Sequence, residues 1–331
     1  MPDMQTKTID VAVIGLGKMG SYHVAALNQL ISGAVEDYYK GNCEEILPKI
    51  RLCAVCDSFE MVTGEFAGVP FFNDYRDVID DLSPNIVVVA TPTATHFAIA
   101  EYALERGVNV FVEKPIVVRL DEFETLVSKA EANGVNIMAG HIERYNPVSI
   151  KIKELLDNWR TSKVTYLFNR LQMHSPRIED DIIVDKLIHD LDLALFYFGD
   201  ILQCDIVEKI MKDGKVQQLR LKTLHQNCSG EIFVSWLAGN DTSRNVRIDA
   251  DDYVVEGDFL QKQLCVDSKK IECKVDGWIK ETNNQVKDEL FDFIMYCFGD
   301  RVGISPPLLS LKQIRESVAF IEGIHNEAYG G

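Results

Sequence analysis

No stretch of the 331-residue sequence approaches the roughly 18–20 apolar positions that a bilayer-spanning helix needs. Positive charge is also scarce: 34 Lys and Arg stand against 51 Asp and Glu, a formal net charge of −17. A chain that acidic gains nothing from counterion release and is repelled by anionic lipid, so nucleic acid and membrane surfaces are excluded as partners. Internal repeats and low-complexity tracts are missing. After Met1–Lys7 the chain enters a strand-like run rather than a signal-peptide core, and a cytoplasmic setting is expected. The eight cysteines contain one C-x-x-C, Cys53 and Cys56, inside a strand-like run. Spacing of three on a strand points two thiols to opposite faces, so these read as core residues rather than a redox or zinc pair.

What is present is ordinary for a globular protein, with 47% hydrophobic and 26% charged residues and length for two domains. In the first 140 or so residues, nearly continuous apolar runs (10–15, 51–57, 85–91, 109–113 and 135–140) alternate with helical stretches (21–30, 95–106 and 121–133). That is the pattern of βαβ units in a doubly wound parallel sheet buried on both faces. Beyond about residue 150 the strand-like stretches (164–173, 216–223, 231–237 and 245–250) alternate polar and apolar, as in an antiparallel sheet with one wetter face. Helical stripes follow: Val286, Leu290, Phe293, Ile294 and Cys297, ending at Gly299, and then Leu311, Ile314, Val318 and Ile321. The expected fold class is α/β, a Rossmann domain over 1–147 followed by an α+β domain over 148–331 on a mostly antiparallel sheet. The C-terminal helix is expected to pack back on the first domain.

Gly15-Leu16-Gly17-Lys18-Met19-Gly20 forms G-x-G-x-x-G directly after the first strand and before a helix. Gly15 permits the tight turn, Gly17 lets a pyrophosphate approach the backbone, and Gly20 allows close helix–strand packing. Asp57 ends the second strand, where a carboxylate accepts hydrogen bonds from an adenosine ribose diol and repels a 2′-phosphate. NAD is therefore favoured over NADP. Asp57 lies 37 positions after Gly20 against the usual ~20. The surplus falls in the acidic, aromatic insertion over 34–49.

Four further pieces follow in order: Thr91-Pro92-Thr93-Ala94-Thr95-His96, Glu113-Lys114-Pro115, Gly140-His141-Ile142-Glu143-Arg144-Tyr145-Asn146-Pro147, and Asp185-Lys186-Leu187-Ile188-His189-Asp190-Leu191-Asp192. The first three end strands, where open α/β sheets bind ligands. At ~100° per residue Asp185, His189 and Asp192 fall within about 60° on one helical face, opposite Leu187, Leu191, Ala194, Leu195 and Phe198. Alone, that stripe reads as a solvated surface.

In order, these motifs resemble the Gfo/Idh/MocA oxidoreductases over nearly the whole chain. The G-H-I-E-R-Y-N-P string is most similar to the branch of UDP-N-acetylglucosamine 3-dehydrogenases and related sugar-nucleotide dehydrogenases. The resemblance implies NAD-dependent oxidation of a ring hydroxyl in a sugar or sugar nucleotide. His189 would be the general base, with Asp185 orienting its imidazole and Lys114 hydrogen-bonding the reacting hydroxyl. The cofactor would meet Gly15, Gly17, Lys18, Met19, Gly20, Asp57, Thr91, Pro92, Thr93, His96, Glu113 and Lys114. For His96 a structural role at the helix start stands as an alternative, and His141 reads as a structural histidine. Arg144, Tyr145 and Asn146 would shape the substrate pocket, while Arg170 and Arg177 could meet an anionic substrate. Asp185 and His189 belong to the substrate site as well. No metal is expected, since Lys114 supplies the positive charge. Free-sugar or inositol dehydrogenases share these catalytic residues, and a non-catalytic dinucleotide sensor shares the fold. A homodimer or homotetramer is expected by the same resemblance.

Overall fold

Branched apolar runs become the buried strands of a six-stranded parallel sheet in the first of two compact units. The computed structural model describes residues 8–32, 49–59, 68–158, 163–174, 180–239, 241–251, 253–273, 284–298 and 309–330. Unit 1 is Met1–Ile142 with Asp276–Leu311, and unit 2 is Glu143–Val275 with Lys312–Gly331. Arg177, the insertion over 34–48 and the expected helix stop at Gly299 lie outside the described residues.

Unit 1 runs β1 (Thr8–Ile14), α1 (Lys18–Ile31), β2 (Lys49–Cys56), β3 (Phe71–Phe72), α2 (Tyr75–Leu82), β4 (Ile86–Val89), α3 (His96–Glu105), β5 (Asn109–Glu113), α4 (Leu120–Asn133) and β6 (Ile137–Gly140). The strand order β3-β2-β1-β4-β5-β6 is doubly wound, with every pair parallel. Residues 86–89 are all buried, each side chain contributing about 1.5–3 kcal/mol relative to exposure. In the pairing of β1 with β2 the register shifts at Val11/Ala12, where Leu52 and Ala54 are successive partners and Cys53 is the extra residue. Burial pushes the Cys53 and Cys56 thiols up to about 11 and about 12, away from reactive thiolate chemistry.

Unit 2 opens with α5 (Pro147–Asn158) and β7 (Val164–Leu171). A π-helical turn over Ile183–Leu187 leads into α6 (Ile188–Phe198). Then come β8 (Ile201–Lys212), β9 (Lys215–His225), β10 (Cys228–Ser235), β11 (Ser243–Ala250), β12 (Tyr253–Asp258), β13 (Gln263–Val266) and β14 (Lys269–Ile271). They form an eight-stranded sheet, β14-β13-β12-β11-β7-β10-β9-β8, antiparallel except where β7 meets β10. Pro147 sits at the first turn of α5, where its missing N–H costs nothing.

The two closing helices divide between the units. α7 (Gln285–Phe298) belongs to unit 1, against α1 and β5. α8 (Leu311–Tyr329) belongs, but for its first residue, to unit 2. There Lys209 donates to the Ala328 carbonyl, and the Tyr329 hydroxyl accepts from the Val216 N–H at 3.0 Å. The penultimate helix is thus part of unit 1 and the last helix part of unit 2, with the first segment of unit 1 running to Ile142. Two amphipathic stripes of similar period do not disclose which sheet each covers.

Candidate active site

In unit 1 the loop after β1 is shaped by what its glycines lack. Gly15 has φ +92°, and a Cβ there would lie 2.6 Å from the Ala90 carbonyl oxygen. A Cβ on Gly20 would lie 1.8 Å from the Gly15 oxygen, so α1 closes on the strand only with glycine there. At Gly17 a Cβ would meet nothing within 4 Å, which leaves the backbone open to an approaching group. α1 starts at Lys18 with no side-chain cap and no acidic residue in its first turn. Its leading N–H groups and dipole therefore favour an anion such as a pyrophosphate. Gly17 and Lys18 are exposed and Met19 half-buried.

Asp57 stands beside this loop. Its Oδ2 accepts the Leu16 N–H at 2.7 Å and its Oδ1 the Phe59 N–H at 3.0 Å. Each oxygen keeps acceptor capacity for a ribose diol. These residues fit a dinucleotide of the NAD type.

At the end of β4, the Thr95 hydroxyl lies 2.7 Å from Thr91 Oγ1 and 2.8 Å from the Pro92 carbonyl. Thr93 is half-buried in the same short turn. His96 is buried, its Nδ1 2.8 Å from the Pro115 carbonyl and its Nε2 2.8 Å from the Thr91 carbonyl. Both ring nitrogens face backbone, so His96 braces the residues that follow two strands. Glu113 is buried, with His23 Nε2 at 2.6 Å. Lys114 is half-buried, and its peptide bond to Pro115 is cis. His141 is buried.

In unit 2 the sequence between β7 and α6 turns out to be tightly built. Asp181 caps it, its Oδ1 accepting the N–H groups of Ile183 and Val184 at 2.9 and 3.0 Å. The Ile188 N–H reaches back to the Ile183 carbonyl, five residues earlier. A π turn of this kind is rare and concentrates at functional sites. It carries Asp185, half-buried with Lys186 Nζ 3.1 Å from its Oδ2, and delivers His189 at 9% exposure. The ~100° step assumed for Asp185 to His189 therefore does not hold across the turn.

The solvated-face alternative also fails, because Ile188–Tyr197 is buried on all sides. Asp192 takes a two-pronged pair from Arg144 at 2.8 and 2.7 Å, and Arg144 Nη1 also donates to Gln313. Asp190 takes an equivalent pair from Arg170, with both bonds at 2.8 Å. Glu143 closes the network, 3.3 Å from Arg170 and 3.0 Å from Arg244. Burial works to lower the Arg170 pKa, but Asp190 and Glu143 outweigh it and raise the value above its ordinary position. Arg144 and Arg170 are 0% and 1% exposed, and their guanidinium groups are held by carboxylates within unit 2. Tyr145 is buried as well. Asn146 donates to the Phe259 carbonyl and caps the start of α5 through Val148, at 3.1 Å each.

Residues 9–141 match the model described as an oxidoreductase family with an NAD-binding Rossmann fold. That N-terminal stretch is thus an NAD-binding Rossmann domain of the Gfo/Idh/MocA oxidoreductase type. Among its relatives is the scyllo-inositol 2-dehydrogenase (NAD(+)) of Bacillus subtilis, 29% identical over 57% of this chain and 53% of that protein. The UDP-N-acetylglucosamine 3-dehydrogenase of Acidithiobacillus ferrooxidans is 32% identical over 56% of this chain and 53% of its own. The chain thus spans about half the length of the curated relatives it matches. The solved structure of the Acidithiobacillus enzyme superposes with a TM-score of 0.78 at 22% identity, covering 98% of this chain and 99% of that one. A levoglucosan dehydrogenase in complex with NADH reaches 0.78 at 16% identity, covering 98% of each chain. At such identities these structures show the Gfo/Idh/MocA fold and no more.

The match over residues 9–141 gives Asp57 a testable weight. Asp57→Asn removes the charge while keeping an acceptor for Leu16. It is expected to weaken NAD binding about tenfold, since a hydrogen bond to a charged group contributes about 1.5–3 kcal/mol. NADP is expected to gain relative to NAD, which titration of both cofactors by calorimetry checks.

Asp181, Glu143, Asp190, Arg244 and His23 were missed from sequence. Glu143 and Asp190 lay inside motif strings already singled out. For the others the one signal was acidic or basic residues set in apolar surroundings, as in Ile182–Phe198.

Proposed function

We propose that this protein is an NAD-dependent dehydrogenase that oxidises a ring hydroxyl of a sugar or sugar nucleotide. The observation that carries this reading is Lys114. It sits half-buried between a clamped Glu113 and a clamped Pro115, at the carboxyl end of a strand in an NAD-type sheet. NAD, when bound, supplies the hydride acceptor. Gly17 and the N-terminus of α1 would hold its pyrophosphate and Asp57 its ribose. Lys114 donates a hydrogen bond to the reacting oxygen and stabilises negative charge there. His189 takes the hydroxyl proton as the carbon gives up hydride and the C–O bond becomes a carbonyl. Asp185, four residues earlier on the π turn, orients that imidazole and stabilises its charged form.

The burial of Arg170 in a carboxylate pair counts against its use on a substrate diphosphate. That favours a free sugar or inositol as the second reading, with Arg177 as the remaining candidate for a phosphate. Cofactor reduction, followed by ultraviolet absorbance with NAD across UDP-sugars, free sugars and inositols, separates the two. Turnover of UDP-sugars alone supports the sugar nucleotide, and turnover of polyols alone the second reading. Binding of NAD with no turnover of any panel member counts against the enzyme reading and for a dinucleotide sensor.

We also infer a homodimer or homotetramer. Leu202, Val207, Ile210 and Met211 of β8 and Leu224 of β9 are exposed apolar side chains, which supports an interface on that part of the sheet. Sedimentation velocity decides, and a monomer at micromolar concentration counts against it.

A further inference from the structure

A buried trio in unit 1 has no part in the reaction as written above. His23 from α1, Glu113 from the end of β5 and Glu289 from α7 are all buried, and one ligand-type atom of each lies within 4.8 Å of the others. His23 Nε2 stands 2.6 Å from Glu113 Oε1, and its ring meets Phe111 edge-on with centroids 5.4 Å apart. Among the described residues neither oxygen of Glu289 has a hydrogen-bond partner. On β6, Gly140 makes room for the group: a Cβ there would lie 3.1 Å from the Phe111 ring and 3.4 Å from the Glu113 carboxyl carbon.

An imidazole with two carboxylates suggests a divalent cation first. The 2.6 Å contact argues against it. Two ligand atoms about 2.1 Å from one tetrahedral ion stand roughly 3.4 Å apart, whereas 2.6 Å is a hydrogen bond from a ring N–H to a carboxylate. Among the described residues no cation then offsets the charge of Glu289. Burial first, and then the charges of Glu113, Asp288 and Asp292, push its pKa well above the ordinary carboxyl range. A neutral Glu289 avoids the cost of an unpaired buried charge beside Glu113.

We propose that His23 and Glu289 are positioning residues that hold Glu113, and through it the strand end carrying Lys114, as a buried trio. This rests on the dehydrogenase reading of Lys114. Glu113 is tied to His23, and Pro115 is tied to His96 at 2.8 Å. The lysine lies between two residues each anchored to a buried histidine. Its ammonium is aimed by backbone fixed on both sides, and misplacement by about 1 Å is enough to cost up to 100-fold in rate.

The test compares Glu289→Gln, Glu289→Ala and His23→Phe in the full-length protein. Each is measured for kcat and KM on the substrate found above, for NAD affinity by calorimetry and for metal content by mass spectrometry. Carboxyl-carbon NMR of the wild-type protein reports the protonation of Glu289. Expected are a kcat at least tenfold lower in His23→Phe and Glu289→Ala, with NAD affinity within threefold, and recovery of most of that loss in the neutral isostere Glu289→Gln. Glu289 should give the signal of a protonated carboxyl at pH 7. The proposal is overturned if Glu289→Gln is as impaired as Glu289→Ala, if folded His23→Phe keeps wild-type kcat, if Glu289 is ionised at pH 7, or if the purified protein carries a stoichiometric divalent metal. NMR and metal content need no substrate. A protein silent on every sugar sinks the dehydrogenase reading, while those two arms still judge the trio.

Discussion

Arg170→Met is expected to destabilise unit 2 by about 3–5 kcal/mol, because removing one partner of a buried ion pair leaves the other uncompensated. Arg170 and Asp190 side chains are 1% and 3% exposed, and the pair is two-pronged with both bonds at 2.8 Å. Loss of the guanidinium strands the Asp190 carboxylate in a buried site. Glu143 is better protected, since Arg244 remains 3.0 Å away. Arg170→Lys should recover little, as an ammonium cannot reproduce the planar fork. The double variant Arg170→Met/Asp190→Leu should recover most of the loss, because replacing both partners with apolar groups removes the orphaned charge. Thermal unfolding followed by circular dichroism reads the effect as a fall on the order of 10 °C in Tm. An unchanged Tm with weakened substrate binding would return Arg170 to the role of an anion contact.

The second large effect is chemical. His189→Asn should lower kcat by about 10²–10⁴, the contribution typical of a positioned general base. NAD affinity should stay within threefold, since the cofactor contacts assigned above are all in unit 1. In the oxidising direction the base must be unprotonated, so kcat/KM of the wild-type protein should rise with pH through the titration of that group. In His189→Asn this rise should vanish. Asp185→Asn should lower kcat less, because it acts on the orientation of the imidazole. A His189→Asn protein with wild-type kcat and an unaltered pH profile would remove His189 from the reaction.

The sheet of unit 1 was legible because its strands are buried on both faces. Runs such as Ile86–Val89 have no polar positions to blur them. The same physics hid β8, where Leu202, Val207, Ile210 and Met211 are exposed and break any alternation of apolar with polar. β12 to β14 are short strands joined by turns, in which Lys262, Asp267 and Ser268 take positive φ, and no run is long enough to signal itself. In the candidate site, the glycine loop was readable since spacing and chemistry coincide within six residues. Partners were not. Arg170 finds Asp190 20 positions away, Arg144 finds Asp192 48 away and His23 finds Glu113 90 away. An arginine meant for a phosphate and one meant for a buried carboxylate look alike in sequence. The π turn before His189 was invisible for a similar reason, because one extra residue in a helical turn leaves the apolar pattern almost unchanged.

The most direct test of the central claim follows the hydride itself. The sugar-type substrate that reduces NAD is prepared with deuterium on the carbon bearing the reacting hydroxyl, and cofactor and product are examined by mass spectrometry after one turnover. Hydride transfer to NAD predicts one deuterium in the reduced cofactor and a keto sugar that has lost it. Deuterium retained in the sugar, with NAD bound but unreduced, would contradict the account and leave a dinucleotide-binding protein without this chemistry.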